Sequence, residues 1–123
     1  MHVELGPGSE AAGEARTLTN TTLRRWNLPA LLDPIVLAAS ELVTNALKHR
    51  RPPVTLRLRR RCEAVLLEVH DEASVVSREA SRPVEGDESG RGLLIVEALA
   101  ADVGVRDITG DGKVAWASFP AGS

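Results

Sequence analysis

Apolar and polar positions along this chain follow two different periods, and the switches between them outline the fold. Val3-Glu4-Leu5 reads as a short strand ahead of a "GPG" turn. Ser9 is then a candidate N-cap, and Ala11, Ala12, Ala15, Leu18 and Leu23 recur at helical spacing, which predicts a helix to about Trp26. The "NLPALLD" stretch breaks it. A second helix, the most apolar of the chain, is predicted from about Pro29 or Pro34 to Lys48. The period then changes to two. In "PVTLRLRR", Val54, Leu56 and Leu58 alternate with Thr55, Arg57 and Arg59, the pattern of a strand with one wet face. A turn near Arg61 to Glu63 leads into "AVLLEVH", where Val65, Leu67 and Val69 oppose Leu66, Glu68 and His70.

From Asp71 to Ser89, "DEASVVSREASRPVEGDES" has no sustained period, and residues from about 72 to 89 are expected to form a long lid loop. Residues 92 to 101, "GLLIVEALAA", are apolar almost all round, as in a buried helix opened by Gly90-Arg91-Gly92. "VGVRDI" and "KVAWASF" follow as strands joined by "TGDG", whose Asp-Gly pair favours a tight hairpin. With no repeat and no alternation of strand and helix, the order implies an α+β two-layer sandwich. Its sheet is a mostly antiparallel, mixed one of roughly four to five strands, with three helices on one face. Residues 1–123 make one domain of this kind.

Composition narrows the function without naming it. Aromatic residues are 2% of the chain and the formal net charge is -2, so neither base stacking nor a global positive field recommends nucleic acid as a partner. The basic run "RLRRRC" is explained by arginines on the wet face of a strand, a face that would equally receive an acidic partner. Arg24 and Arg25 on the first helix are a second candidate contact. The single Cys62 has no partner for a disulfide or a zinc site. No signal-peptide pattern opens the chain, and no uncharged run approaches membrane-spanning length. A cytoplasmic protein without membrane attachment is the expectation.

The informative stretch is "ASELVTNALKHR", in which Glu41, Asn45 and His49 recur every four residues inside an apolar helix. At about 100° per residue they run along the border of the buried arc, where side chains line the wall of a cleft. A carboxylate and a carboxamide so spaced can hold a divalent cation through oxygen or orient an attacking hydroxyl. By themselves they read equally well as an i,i+4 pair at the edge of an amphipathic helix. Two further features shift the balance. Asp71 stands at the end of a strand, and Gly90-Arg91-Gly92 opens a helix whose free N-H groups favour phosphate.

In this order the boxes resemble the Bergerat ATP-binding fold of gyrase, heat-shock protein 90, histidine kinases and MutL. Glu41 and Asn45 match its N-box, Asp71 its first glycine box, and Gly90-Arg91-Gly92-Leu93 its second. "LAASELVTNALKH", "SGRGLLIVEALA" and "VGVRDITGDGKVAWA" are similar, more narrowly, to the small actinobacterial anti-sigma-factor-like serine kinase domains. The resemblance implies ATP and Mg²⁺ as cofactors. Asn45 would be the Mg²⁺ ligand, Glu41 would polarise the attacking hydroxyl, and Asp71 would accept a hydrogen bond from the adenine amine. Gly90, Arg91, Gly92 and Leu93 would face the phosphates, with Lys48 and His49 adding positive charge nearby. It further implies a protein partner, either an anti-sigma antagonist or a sigma factor, and a homodimer.

The sequence departs from the family at two places. No glycine follows Asp71 until Gly86, and Val114 stands where many relatives carry a nucleotide-contacting threonine. Three readings follow: a serine protein kinase acting by partner switching, a nucleotide-gated protein-binding module that transfers no phosphate, and an interaction domain with residual boxes.

Overall fold

The computed structural model describes residues 1–5, 10–49, 54–71, 88–108 and 112–121. Among these, strand β1 (His2–Leu5) precedes helix α1 (Glu10–Arg25), and a 3-10 turn (Pro29–Leu31) leads directly into α2 (Leu32–His49). Strands β2 (Val54–Arg61) and β3 (Ala64–Asp71) form a hairpin. Helix α3 (Glu88–Leu99) then feeds β4 (Asp102–Ile108), and β5 (Gly112–Pro120) closes the chain. The sheet has five strands in the order β1-β2-β3-β5-β4, and every ladder in it is antiparallel. The α+β sandwich with three helices is therefore as expected, except that the sheet contains no parallel pair among the described residues.

Strand alternation builds the core. Val54, Leu56 and Leu58 of β2, Val65, Leu67 and Val69 of β3, and Ala115, Ala117 and Phe119 of β5 are all buried on the helix-covered face. Helix α2 lies across the middle of this face, with Ile35, Ala38, Ala39, Leu42, Val43 and Ala46 buried against the strands. The stretch Pro29–Lys48 is long and apolar enough to cross a membrane by composition, yet its apolar stripe is the central cover of the sheet.

Helix α2 has α1 on one side and α3 on the other. The buried stripe of α1 is Ala11, Ala15, Thr19, Thr22 and Leu23, so two threonines take places that the apolar pattern assigns to Ala12 and Leu18. The helix ends in a Schellman motif. Leu28 N-H donates to the Leu23 carbonyl and Asn27 N-H to the Arg24 carbonyl, both at 3.0 Å, with Asn27 left-handed at φ 59°. Arg60 Nη1 donates to the exposed Trp26 carbonyl at 3.2 Å and ties this cap to β2.

Helix α3 departs from expectation in two ways. It starts at Glu88, so Gly90-Arg91-Gly92 lies inside its first turns and residues 88 and 89 belong to the helix rather than to the loop. Residues 72–87 of the expected lid, and Ser9 as N-cap, lie outside the described residues. Nor is the helix buried all round. Val96 is buried, whereas Leu94 is 64% and Ile95 38% exposed. A helix in the outer layer of a two-layer sandwich can bury only one stripe, whatever the apolarity of its other residues.

Candidate functional site

The candidate residues reach one end of the sandwich by topology. Residues Val54, Asp71 and Lys113 are register partners across β2, β3 and β5, which marks that end of the sheet. Helix α2 stops at His49, so the short link to Val54 holds its C-terminus there. Helix α3 connects to β4 through Ala100 and Ala101 alone, and β4 runs opposite to β2 through three successive antiparallel ladders. Two helices that feed oppositely directed strands through short links must themselves be antiparallel. The N-terminus of α3, with Gly90, Arg91, Gly92 and Leu93, is thus set at the same end as Asn45, Lys48 and His49 of α2 and Asp71 of β3.

Which flank of α2 faces α3 follows from its other contacts. Ser40 accepts a 3.0 Å hydrogen bond from Arg16 Nη1, and Val36 lines a surface groove with Arg16, Thr17, Asn20 and Thr21, so these positions mark the α1 side. Asn45 lies about 140° round the helix from Ser40, on the flank toward α3, with Glu41 between that flank and solvent. Both side chains are partly buried, and Lys48 is exposed. The side chains of His49, Asp71 and residues 88–93 are outside the described set, so their positions are those of the backbone.

The electrostatic signature of the site is at Asn45. Its Oδ1 is buried with no hydrogen-bond partner. Leaving a buried amide oxygen unsatisfied costs about 1–3 kcal/mol, so this oxygen stands out as a free acceptor at this end of the sandwich. A carboxamide oxygen is a hard donor suited to Mg²⁺. Thr19 Oγ1 of α1 is also unsatisfied, but it stands in the buried stripe of that helix. No group of three His, Cys, Asp or Glu that could hold a metal occurs among the described residues. A cation here would take one or two protein oxygens and fill its shell from phosphate and water, the usual condition for Mg²⁺.

Two residues change standing. Val114 is register partner of His70, on the face away from the helices, and it is buried outside the main core. A hydroxyl there would not reach a pocket beneath α2 and α3, so valine at this position is no defect of such a pocket. The strand position on the helix side is Lys113, paired with Asp71. The sequence pattern did not single out Lys113, although it is the first inward position of the last strand.

The fold is shared with known proteins. The model of the histidine kinase-like ATPase domain family matches residues 8–119. No curated protein matches the chain by sequence. Among solved structures, the RsbU and RsbW domains of Rv1364c from Mycobacterium tuberculosis align over 97% of this chain and 31% of that one, with TM-score 0.73 and 21% identity. The SiaB-SiaC complex from Pseudomonas aeruginosa aligns over 97% of this chain and 88% of that one, with TM-score 0.68 and 11% identity. At these identities the likeness is one of fold. The chain spans under a third of the first of these two structures.

Proposed function

We propose, from the premise that this chain belongs to the histidine kinase-like ATPase domain family, that it is an ATP-binding, anti-sigma-factor-like regulator that phosphorylates a serine of a separate antagonist protein. The observation that carries the reading is the buried, unsatisfied Asn45 Oδ1 at the end of the sandwich where the family's other boxes converge. The similar structures, one with an RsbW domain and one a complex of SiaB with SiaC, support a protein as the partner.

Each residue of the constellation has a part in this reading. Asn45 holds Mg²⁺, which supplies charge neutralisation for the triphosphate when bound. Asp71 accepts the adenine amine, which discriminates against guanine, whose corresponding group is a carbonyl. Gly90, Arg91, Gly92 and Leu93 line the phosphates at the N-terminal end of α3, where the free N-H groups of its first turn and the Arg91, Lys48 and His49 charges hold them. Glu41 takes the proton of the attacking serine hydroxyl as its oxygen bonds to the γ-phosphorus and the bond to the β-phosphate oxygen breaks, leaving ADP. Positioning and charge account for most of catalysis in such a transfer. The protein works in the cytoplasm in this reading, where ATP is abundant and Cys62 stays reduced.

The absence of a glycine between Asp71 and Gly86 favours a second reading, a nucleotide-gated binding module without transfer, because close backbone approach on the adenine side is restricted. Calorimetric titration with ATP and with GTP, each with and without Mg²⁺, tests the site. Magnesium-dependent binding of ATP over GTP is expected. Incubation of the antagonist protein with labelled ATP then separates the two readings: label on a serine that is lost in Glu41→Ala supports the kinase, and a complex that responds to ATP without label supports the module.

A further inference from the structure

The face of the sheet opposite the helices carries a built charge cluster. Glu68 of β3 belongs to the face that alternation assigns to water, yet it is fully buried. Arg59 Nη2 donates to its Oε2 at 3.3 Å, and Arg59 Nε lies 3.3 Å from Oε1 as an ion pair off the hydrogen-bond line. His70 Nε2 at 3.7 Å and Arg57 Nε at 4.0 Å also border the carboxylate. These partners are themselves half open to solvent, Arg57 by 38% and Arg59 by 31%. Next along the same row, Trp116 pairs with Glu68 on one side and with Gly104 on the other, where its ring occupies the space a Cβ would need.

This arrangement is not explained by protection of a sheet edge, because β2 and β3 are interior strands. Along β2, Arg57, Arg59 and the exposed Arg61 stand on one face about 6.6 Å apart, the spacing of alternate strand residues. Glu68 beneath them fixes the orientation of two guanidinium groups, and exposed Glu4 of β1 shares the face beside Arg57, so the positive charge toward solvent is concentrated at Arg59 and Arg61. Preorganised arginines beside a tryptophan, with the ordering cost already met, are the composition of a protein interface.

We propose that the open face of β2, β3 and β5 is a docking surface for an acidic segment of a protein partner, bound on the opposite side of the sheet from the nucleotide site. A second copy of this chain is the alternative occupant, which sedimentation separates. The net charge of -2 and the scarcity of aromatic platforms disfavour nucleic acid. The inference does not depend on ATP binding.

The test is fluorescence anisotropy of a labelled dodecapeptide of alternating Glu and Thr, titrated with the full chain at low and at physiological salt, with oligouridylate of equal charge as competitor. Expected are saturable binding that weakens with salt and a loss of up to about fivefold per ion pair removed, read in Arg61→Glu. Arg61→Gln removes the same positive charge without adding a negative one and should show a smaller loss in the same direction. Arg24→Gln/Arg25→Gln on α1 should bind as the parent does. The proposal is overturned by equal binding in both β-strand variants, by an equal loss in the α1 variant, by tighter binding of oligouridylate, or by a parent dimer in sedimentation that Arg61→Glu dissociates.

Discussion

Replacing Asn45 by leucine should make the protein more stable and its ligand response weaker. The substitution keeps the heavy-atom count and branched shape of the side chain, with bulkier methyl ends, and removes an amide oxygen that is buried without a partner. Relief of that desolvation is worth about 1–3 kcal/mol, and the better helix propensity of leucine adds roughly 0.5 kcal/mol. Allowing for contacts of the lost amide nitrogen, the unliganded protein should gain about 1–2 kcal/mol, a rise of some 3–8 °C in midpoint for a domain of this size. The exposed neighbour Thr44→Leu on α2 supplies the propensity contribution alone and serves as control. In the parent, Mg²⁺ with ATP at about a hundred times its dissociation constant should add about 2.7 kcal/mol, and in the variant that increment should vanish. Urea unfolding of both proteins, alone and with ATP, Mg²⁺ or the two together, measures every quantity. A variant less stable than the parent without ligand, or one that retains the full increment from Mg²⁺ and ATP, would refute the assignment of this oxygen to a cation.

Other consequences concern the frame that holds the site. Gly104→Ala puts a Cβ 2.6 Å from Trp116 Cζ2, and the resulting displacement should cost about 1–3 kcal/mol and change tryptophan emission in a Trp26→Phe background. Unchanged emission and stability would show that the ring yields freely. At Asn27, φ 59° makes a β-branched replacement strained, so Asn27→Val should lose about 1–2 kcal/mol in chemical denaturation while Asn27→Gly matches the parent; equal stability of the two would contradict the left-handed cap. Glu68→Ala removes the buried partner of Arg59 and should cost about 3 kcal/mol, the low end for a broken buried pair because both arginines remain partly hydrated. Strict additivity with Arg59→Ala in a double-mutant cycle would mean that the pair is not coupled.

Much of the molecule was legible because the signals are local. The two-residue alternation of Val54, Leu56 and Leu58 against Thr55, Arg57 and Arg59 specified a strand and its inner face, and the structure buries the inner three. The four-residue spacing of Glu41 and Asn45 placed both at the border of an apolar arc, and both are partly buried there. The order of boxes along the chain led to the family that the match over residues 8–119 shows.

What the sequence could not supply was the relation between elements. Local apolarity assigned α3 to the interior, but the number of layers decided that Leu94 and Ile95 stay exposed. Alternation sent Glu68 to water, and only the register, which sets it directly between Arg57 and Trp116, accounts for its burial. Val114 and Lys113 differ by one residue along the chain and by a whole face of the sheet, a distinction that only the register supplies. Periodicity is a property of a single segment and survives in the sequence alone, whereas side-chain enclosure arises from pairs of segments whose register is fixed by the whole packed sheet.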